Sequence, residues 1–341
     1  MRQHYVPRFV LEGFVDEKSA GNRAVWVYSA RIRKWMLRPT SRTASLDDFY
    51  TLFGETGERN DSLESLLGSA ETAMAALLRK GLNGRTRIAG RPSPDDVVVN
   101  FCALLISRNP AMVDRMKVHI ERETTSIFHE VTASKSAFRK ARREYEQATG
   151  KRLIDLQDVE HLRGRIAISA TKAGGLLAIG GASLFADKLA AMTVDFLFAP
   201  EDATFITSDV PYVLIGKDDD PGELDQVLIP LSASLSLVFN KSDRPSYECV
   251  DTTQAVVRAV NRAMLIMASD TLISKSPEVF SEEVLQRWAT ADESGRLLIV
   301  RELIREDRCV TRGRTRRGPA LASRNQNLTA GARPESAHPP H

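Results

Sequence analysis

The apolar and polar positions change rhythm three times along the chain. Near the start, Phe9, Val10 and Phe14 share one side of a short predicted helix. Pro7 fits its first turn, where the missing N–H costs nothing. Ala24 to Ser29 (AVWVYS) then reads as a strand rich in β-branched and aromatic residues. Lys34 to Arg38 reads as its antiparallel partner, with Trp35 and Leu37 on one face. A third short strand around Phe49, Tyr50 and Leu52 would complete a β-meander.

From residue 61 the period lengthens to that of helices. Asp61-Ser62-Leu63-Glu64 has the form of a capping box, and apolar residues at 63, 66, 67, 70, 74, 77 and 78 predict a helix to about Leu82. Residues 83–92 form a basic, glycine-rich loop. Ser93 then caps a helix opened by Pro94, Asp95 and Asp96, whose body VVVNFCALLIS is apolar nearly all round, the mark of a buried central helix. Pro110 ends it. A long polar helix is predicted from Ala111 to about Ala148, and another from Asp155 to about Ser169. Gly174-Gly175 and Gly180-Gly181 read as small residues for close packing or a bend, because no G-x-G-x-x-G or G-K-[ST] pattern accompanies them.

After a helical turn through Met192 the pattern changes again. Residues 194–198, 203–208, 212–215, 226–231 and 235–240 read as strands of an antiparallel sheet, followed by helices over 252–269 and 277–305. The expected architecture is α+β: an N-terminal β-meander, a helical middle and a C-terminal antiparallel sheet packed on helices, as one domain over residues 1–307.

Composition changes this picture mainly at the C-terminus. An apolar fraction of 43% and a charged fraction of 27% are ordinary for a soluble globular protein. The net charge of +3 hides an asymmetry. Residues 308–341 hold seven arginines and one acid, Glu335, so they carry 7 − 1 = +6 and the preceding body carries 3 − 6 = −3. That stretch has no apolar period and is expected to be a disordered, basic tail with a weak, salt-sensitive contact to nucleic acid. The acidic body argues against a broad nucleic-acid face. Cys102, Cys249 and Cys309 are far apart and have no metal-ligand spacing, which suggests reduced thiols and a cytoplasmic location. Arg8 and Glu12 interrupt any signal-peptide core. The run from Ala173 to Ala186 falls short of the ~20 residues that span a bilayer, so no membrane partner is expected.

Candidate chemistry lies at both ends. His4 and Tyr5 bring an imidazole and a phenol to the N-terminal segment. Glu64 and Glu71, seven apart, lie on adjacent parts of one helical side, and Arg108 ends the buried helix. Thr207, Ser208 and Asp209 place three side-chain oxygens in succession at a strand end, with Pro211 holding Val210 extended. Asn261 faces inward on its helix, where a buried amide needs partners. Each also has a plain structural reading: capping for Glu64, a solvated stripe edge for Glu71, an Asx or Ser/Thr turn for residues 207–209, and a pin on a strand end for Asn261. His119 and Glu123, four apart on an exposed helix, are weak metal ligands.

His4-Tyr5-Val6-Pro7, Phe49-Tyr50, Leu63-Glu64, Glu71, Arg108-x-Pro110, Phe205-x-Thr207-Ser208-Asp209-x-Pro211 and Pro230-Leu231-Ser232 follow one another in this order. Over about residues 4 to 270 the chain thereby resembles the uncharacterised bacterial family known as domain of unknown function 4238. Val210 departs from it, standing where the family more often has asparagine. The resemblance implies no activity. It does imply that the polar residues of both chain ends belong to one pattern.

Two functional expectations follow. In the first, the protein is a hydrolase, phosphodiesterase- or nuclease-like. His4 is its acid/base, Asp209 and Glu64 or Glu71 are bases or metal ligands, and Arg108 binds an anionic group. Tyr5, Thr207, Ser208 and Asn261 line the ligand, a small or phosphate-containing molecule. The residues identify no cofactor, although a divalent metal is compatible with the carboxylates. In the second, the same residues form a non-catalytic binding or sensing module and staple the N-terminus to the core.

Overall fold

The computed structural model describes residues 2–49, 51–53, 59–79, 90–150, 174–216 and 224–315. Its contacts divide the chain into two units, residues 1–300 and 301–341. The first is an α+β body with mixed sheets. Of the second, the structure describes only the continuation of a helix as far as Thr315.

Two sheets organise the body. One has the order β3-β2-β13-β8, built from β2 (Ala24–Ser29), β3 (Lys34–Pro39), β8 (Thr207–Ser208) and β13 (Thr271–Ser274). The β2–β3 hairpin forms at the predicted place. The expected meander does not, because the other neighbour of β2 is β13, from the far end of the body. The segment near residue 50 instead splits between β4 (Ser45–Asp47), which pairs with β1 (Arg2–His4), and β5 (Leu52–Phe53), which pairs with β6 (Arg59–Asn60). Too few successive apolar positions are available there to extend a sheet.

The larger sheet has the order β12-β7-β11-β10-β9, from β7 (Met192–Phe198), β9 (Val213–Gly216), β10 (Leu224–Ser232), β11 (Leu235–Lys241) and β12 (Tyr247–Asp251). It is mixed rather than antiparallel, since β12 runs parallel to β7. Residues 203–206, expected as strand, lie outside one, and only Thr207 and Ser208 pair, with Ile273 and Leu272.

The helices are α1 (Arg8–Glu12), α2 (Ser62–Leu77), α3 (Val97–Ser107), α4 (Pro110–Thr132), α5 (Lys135–Thr149), α6 (Gly174–Ala190), α7 (Gln254–Met267), α8 (Glu282–Thr290) and α9 (Glu293–Thr315). The central helix α3 is buried as its sequence predicts, from Val98 to Ser107 except for Asn100. Its cap is Asp96 rather than Ser93: the Asp96 carboxylate accepts from the Val98 N–H at 2.8 Å. The predicted capping box of α2 is not made, because Asp61 accepts instead from Arg59 and Thr51. Two long predicted helices are broken by new caps. Ser134 accepts from Ala137 N–H to separate α4 from α5, and Asp292 accepts from Gly295 N–H to separate α8 from α9. Helix α9 runs past Arg308, where disorder was expected. No proline intervenes before Pro319, and Glu302 and Glu306 keep a helical polar rhythm. The expected helix over 155–169, the basic loop over 83–89 and residues 316–341 of the tail lie outside the described residues. No helix among the described residues is long and apolar enough to cross a membrane.

One apolar core joins these layers: Val10, Leu11 and Phe14 from the N-terminal segment, Leu67 and Met74 from α2, most of α3, and Phe196, Ile229, Leu237 and Phe239 from the larger sheet. The N-terminal segment is thus seated in the core. Its closest approach is at Gly13, where an added Cβ would lie 2.6 Å from Ser232 Cβ and 2.7 Å from the Leu231 carbonyl oxygen. There Gly13 O accepts from Ala233 N–H at 2.9 Å.

Candidate functional site

His4 ends β1, opposite Ser45 of β4. Its Nε2 lies 3.1 Å from the Thr40 carbonyl oxygen. A carbonyl only accepts, so Nε2 carries the proton and Nδ1 keeps its lone pair. The ring is half-buried, and burial lowers its pKa; the Thr40 bond and the charge of Glu71 oppose that shift. His4 is therefore a neutral base at pH 7.

Arg108 caps the C-terminus of α3, where a cation is favoured, and is 2% exposed. Its Nη1 donates to Glu71 Oε1 at 2.7 Å. Glu64, two turns earlier on α2, is half-buried and its pKa is raised, chiefly by burial and then by the charge of Glu71; Arg108 acts against this. Glu71 is the common member of the group. It binds Arg108, is felt by His4 and Glu64, and lines a cavity of about 650 Å³ between α1, α2 and the β10–β11 edge. Phe9, Gly68, Thr72, Arg79, Phe198 and Ser232 are among its other walls.

Asp209 belongs to a different set of bonds. Its carboxylate accepts from the backbone N–H groups of Ser269 at 2.9 Å, Asp270 at 2.7 Å and Thr271 at 3.1 Å. Burial raises its pKa, and these three bonds hold it down. The alternation of β8 locates the residue, but its carboxylate closes the turn into β13. Ser208 accepts from Val210 N–H at 3.1 Å and donates to Val210 O at 2.6 Å, which is the Ser/Thr turn that its sequence also allows. Thr207 is fully buried, and its Oγ1 makes no hydrogen bond among the described residues. Val210, the departure from the family pattern, is packed in the core.

Asn261 faces inward as its helical period predicts. It accepts from Ile206 N–H at 3.0 Å and donates to Thr204 O at 2.9 Å, pinning the approach to β8. Tyr5 lies between the two sets: its N–H bonds Ala44 O, while burial and then the charges of Asp209 and Asp270 raise its phenol pKa. Asn109, the chain neighbour of Arg108, links the two sets by a hydrogen bond, donating to Asp209 O at 2.7 Å.

Three contributors are absent from the sequence-based set. Arg296 donates to the carbonyls of Ala268 and Ser269, stacks 4.8 Å from the Trp288 ring, and feels the charge of Asp209. Arg79 lines the cavity, and Asn109 ties α4 to Asp209. No sequence signal singles out Arg296, which is one of several arginines on α9. Among the described residues no group of three or more His, Cys, Asp or Glu side chains is placed to hold a metal ion.

Fold and site together define an α+β protein whose N-terminal helix and α2 line a cavity, with Glu71 joining that wall to Arg108. The model of a family described as a protein of unknown function (DUF4238) matches residues 2–278, and the chain belongs to that family. No curated protein and no solved structure matches it.

Proposed function

We propose that the protein is a hydrolase of an ester-type bond, phosphodiesterase-like, whose reaction centre is the His4–Glu64–Glu71 group beside the cavity. The observation that carries this reading is the shared position of Glu71, which lines the cavity and acts on both a neutral imidazole and a half-buried carboxyl. An environment that lowers a histidine favours its base form, and one that raises a glutamate favours its acid form. His4 Nδ1 takes a proton from water, and the resulting hydroxide forms the new bond to the electrophilic centre. Glu64 gives its proton to the leaving oxygen as the old bond breaks. His4 then returns its proton to Glu64 through solvent. Arg108 acts as a positioning residue that fixes Glu71, and its charge favours the developing anion. Asp209 holds the turn into β13 with its carboxylate and accepts from Asn109 at its carbonyl.

The test is a panel of phosphoester and carboxylic ester substrates, with and without Mg²⁺ or Mn²⁺, on wild type, His4→Gln and Asp209→Asn. Turnover that falls about 10²-fold or more in His4→Gln supports the reading. Turnover that is indifferent to His4 removes it.

One observation favours a second reading, a non-catalytic ligand-binding module. Asp209, Ser208, Asn261 and Asn109 all spend their polar atoms on backbone groups. Ligand binding at the cavity without turnover of any substrate would favour it.

A further inference from the structure

The charges around the Glu71 cavity are unevenly satisfied. Glu12 lines it and is paired with Arg8 at 3.3 Å and Arg23 at 3.0 Å. Glu71 is paired with Arg108. Arg79 is exposed at the wall, and its Nε donates to Ala75 O at 3.2 Å. Among the described residues no carboxylate pairs with its guanidinium. Among the described residues, both glutamates that line the cavity (12 and 71) are thus paired with arginines, and the lining Arg79 is left without a carboxylate. The remaining walls are largely apolar, with the rings of Phe9 and Phe198 and the side chains of Leu231 and Leu235.

We propose that this cavity binds a small amphipathic anion: an acyl or aryl body on the apolar walls, with a single carboxylate or phosphate head on Arg79. The volume suits a ligand of that size. A guanidinium with its Nη groups unspent is matched to either head by forked hydrogen bonds. The Ser232 and Ser234 hydroxyls, which bond each other at 3.3 Å, also line the cavity and can turn toward the head group. This inference rests on taking the Glu71 cavity as the site and adds the chemical class of its ligand.

Gly68 offers a clean way to close the cavity. It lies on α2 at the wall, and an added Cβ there meets nothing within 4 Å. Gly68→Met therefore fills the space while improving helix propensity, so lost binding is separable from unfolding. Calorimetric titration with octanoate, octyl phosphate, 1-octanol and octylamine tests the proposal. The expected result is one-to-one binding of at least one anion, about tenfold or more tighter than 1-octanol or octylamine. That advantage should disappear in Arg79→Gln, and all binding should disappear in Gly68→Met with its melting temperature maintained. The two anions separate a carboxylate from a phosphate preference. Octylamine binding as tightly as the anions, no anion binding, or unchanged binding in Gly68→Met overturns the proposal. Ester turnover dependent on His4 without anion selectivity would remove this inference and leave the hydrolase reading. Anion binding without turnover would do the reverse.

Discussion

The environs of Asp209 and of His4 are built from the same kinds of polar side chain and are used in opposite ways. Around Asp209 the polar atoms are directed at backbone. The carboxylate takes three N–H groups, Asn261 takes one N–H and one carbonyl, and Arg296 takes two carbonyls. Such groups organise a turn and have little capacity left for a ligand. Around His4 the Arg108–Glu71 bond runs between side chains and Glu71 lines a cavity, while the ring's bond to Thr40 O leaves Nδ1 with its lone pair. The presence of an ionisable residue in a cluster therefore says less about chemistry than the destination of its hydrogen bonds.

The contrast is broken most severely at Asp209. Asp209→Ala leaves three backbone N–H groups at the start of β13 without their acceptor and should cost about 3 kcal/mol in denaturant unfolding. A loss below about 1 kcal/mol would mean that the turn holds itself. Next is Gly13→Ala, which should cost about 1–3 kcal/mol, because the new methyl meets the backbone of β10 at 2.7–2.9 Å. Hydrogen exchange should then rise first in the N-terminal segment, since Gly13 is where it seats on the larger sheet.

The smaller effects fall on the His4 side and depend on pH. His4 has a folded pKa below its ordinary value, so the unfolded chain binds that proton more tightly. Its contribution to stability is present above pH 6.5 and is lost as pH falls from there through the lowered folded value. His4→Gln, whose amide can still donate to Thr40 O, should change stability at pH 7 by under about 1 kcal/mol and flatten this acid-side decline. Glu64 has the opposite sign. Its raised folded pKa favours folding below the ordinary carboxyl value of 4.5, and that advantage is lost as pH rises through the folded value. Glu64→Gln should therefore raise the melting temperature by about 1–2 °C at pH 7, and the gain should vanish below pH 4.

Much of the large-scale order was legible in the sequence because it rests on long periods. The buried α3, the β2–β3 hairpin, the β10–β11 pair and the inward face of Asn261 all follow from runs of eleven, six, nine and fourteen residues. Short pieces were not legible. β1 is Arg-Gln-His and β13 is Thr-Leu-Ile-Ser, too brief for any alternation, yet β1 pairs with β4, and β13 joins β2 to β8 from the far end of the body. The capping box at residue 61 failed for a related reason: a local pattern lost its acceptor to Arg59 and Thr51, partners that the pattern does not contain. The candidate residues could be listed from the chain, but their division into two sets could not. Whether a carboxylate meets an imidazole or a backbone N–H is decided by tertiary approach, as between Asp209 and residues 269–271.

That division is tested most directly by ¹⁵N-resolved NMR titration of the His4 ring in wild type, Glu71→Gln and Asp209→Asn. The ring should be the Nε2–H tautomer with a pKa below 6.5 in wild type, because burial outweighs the Thr40 bond and Glu71. Glu71→Gln should lower the pKa further by removing a charge that raises it, while Asp209→Asn should leave it unchanged. A His4 pKa that moves in Asp209→Asn as far as in Glu71→Gln would contradict the separation of the two regions.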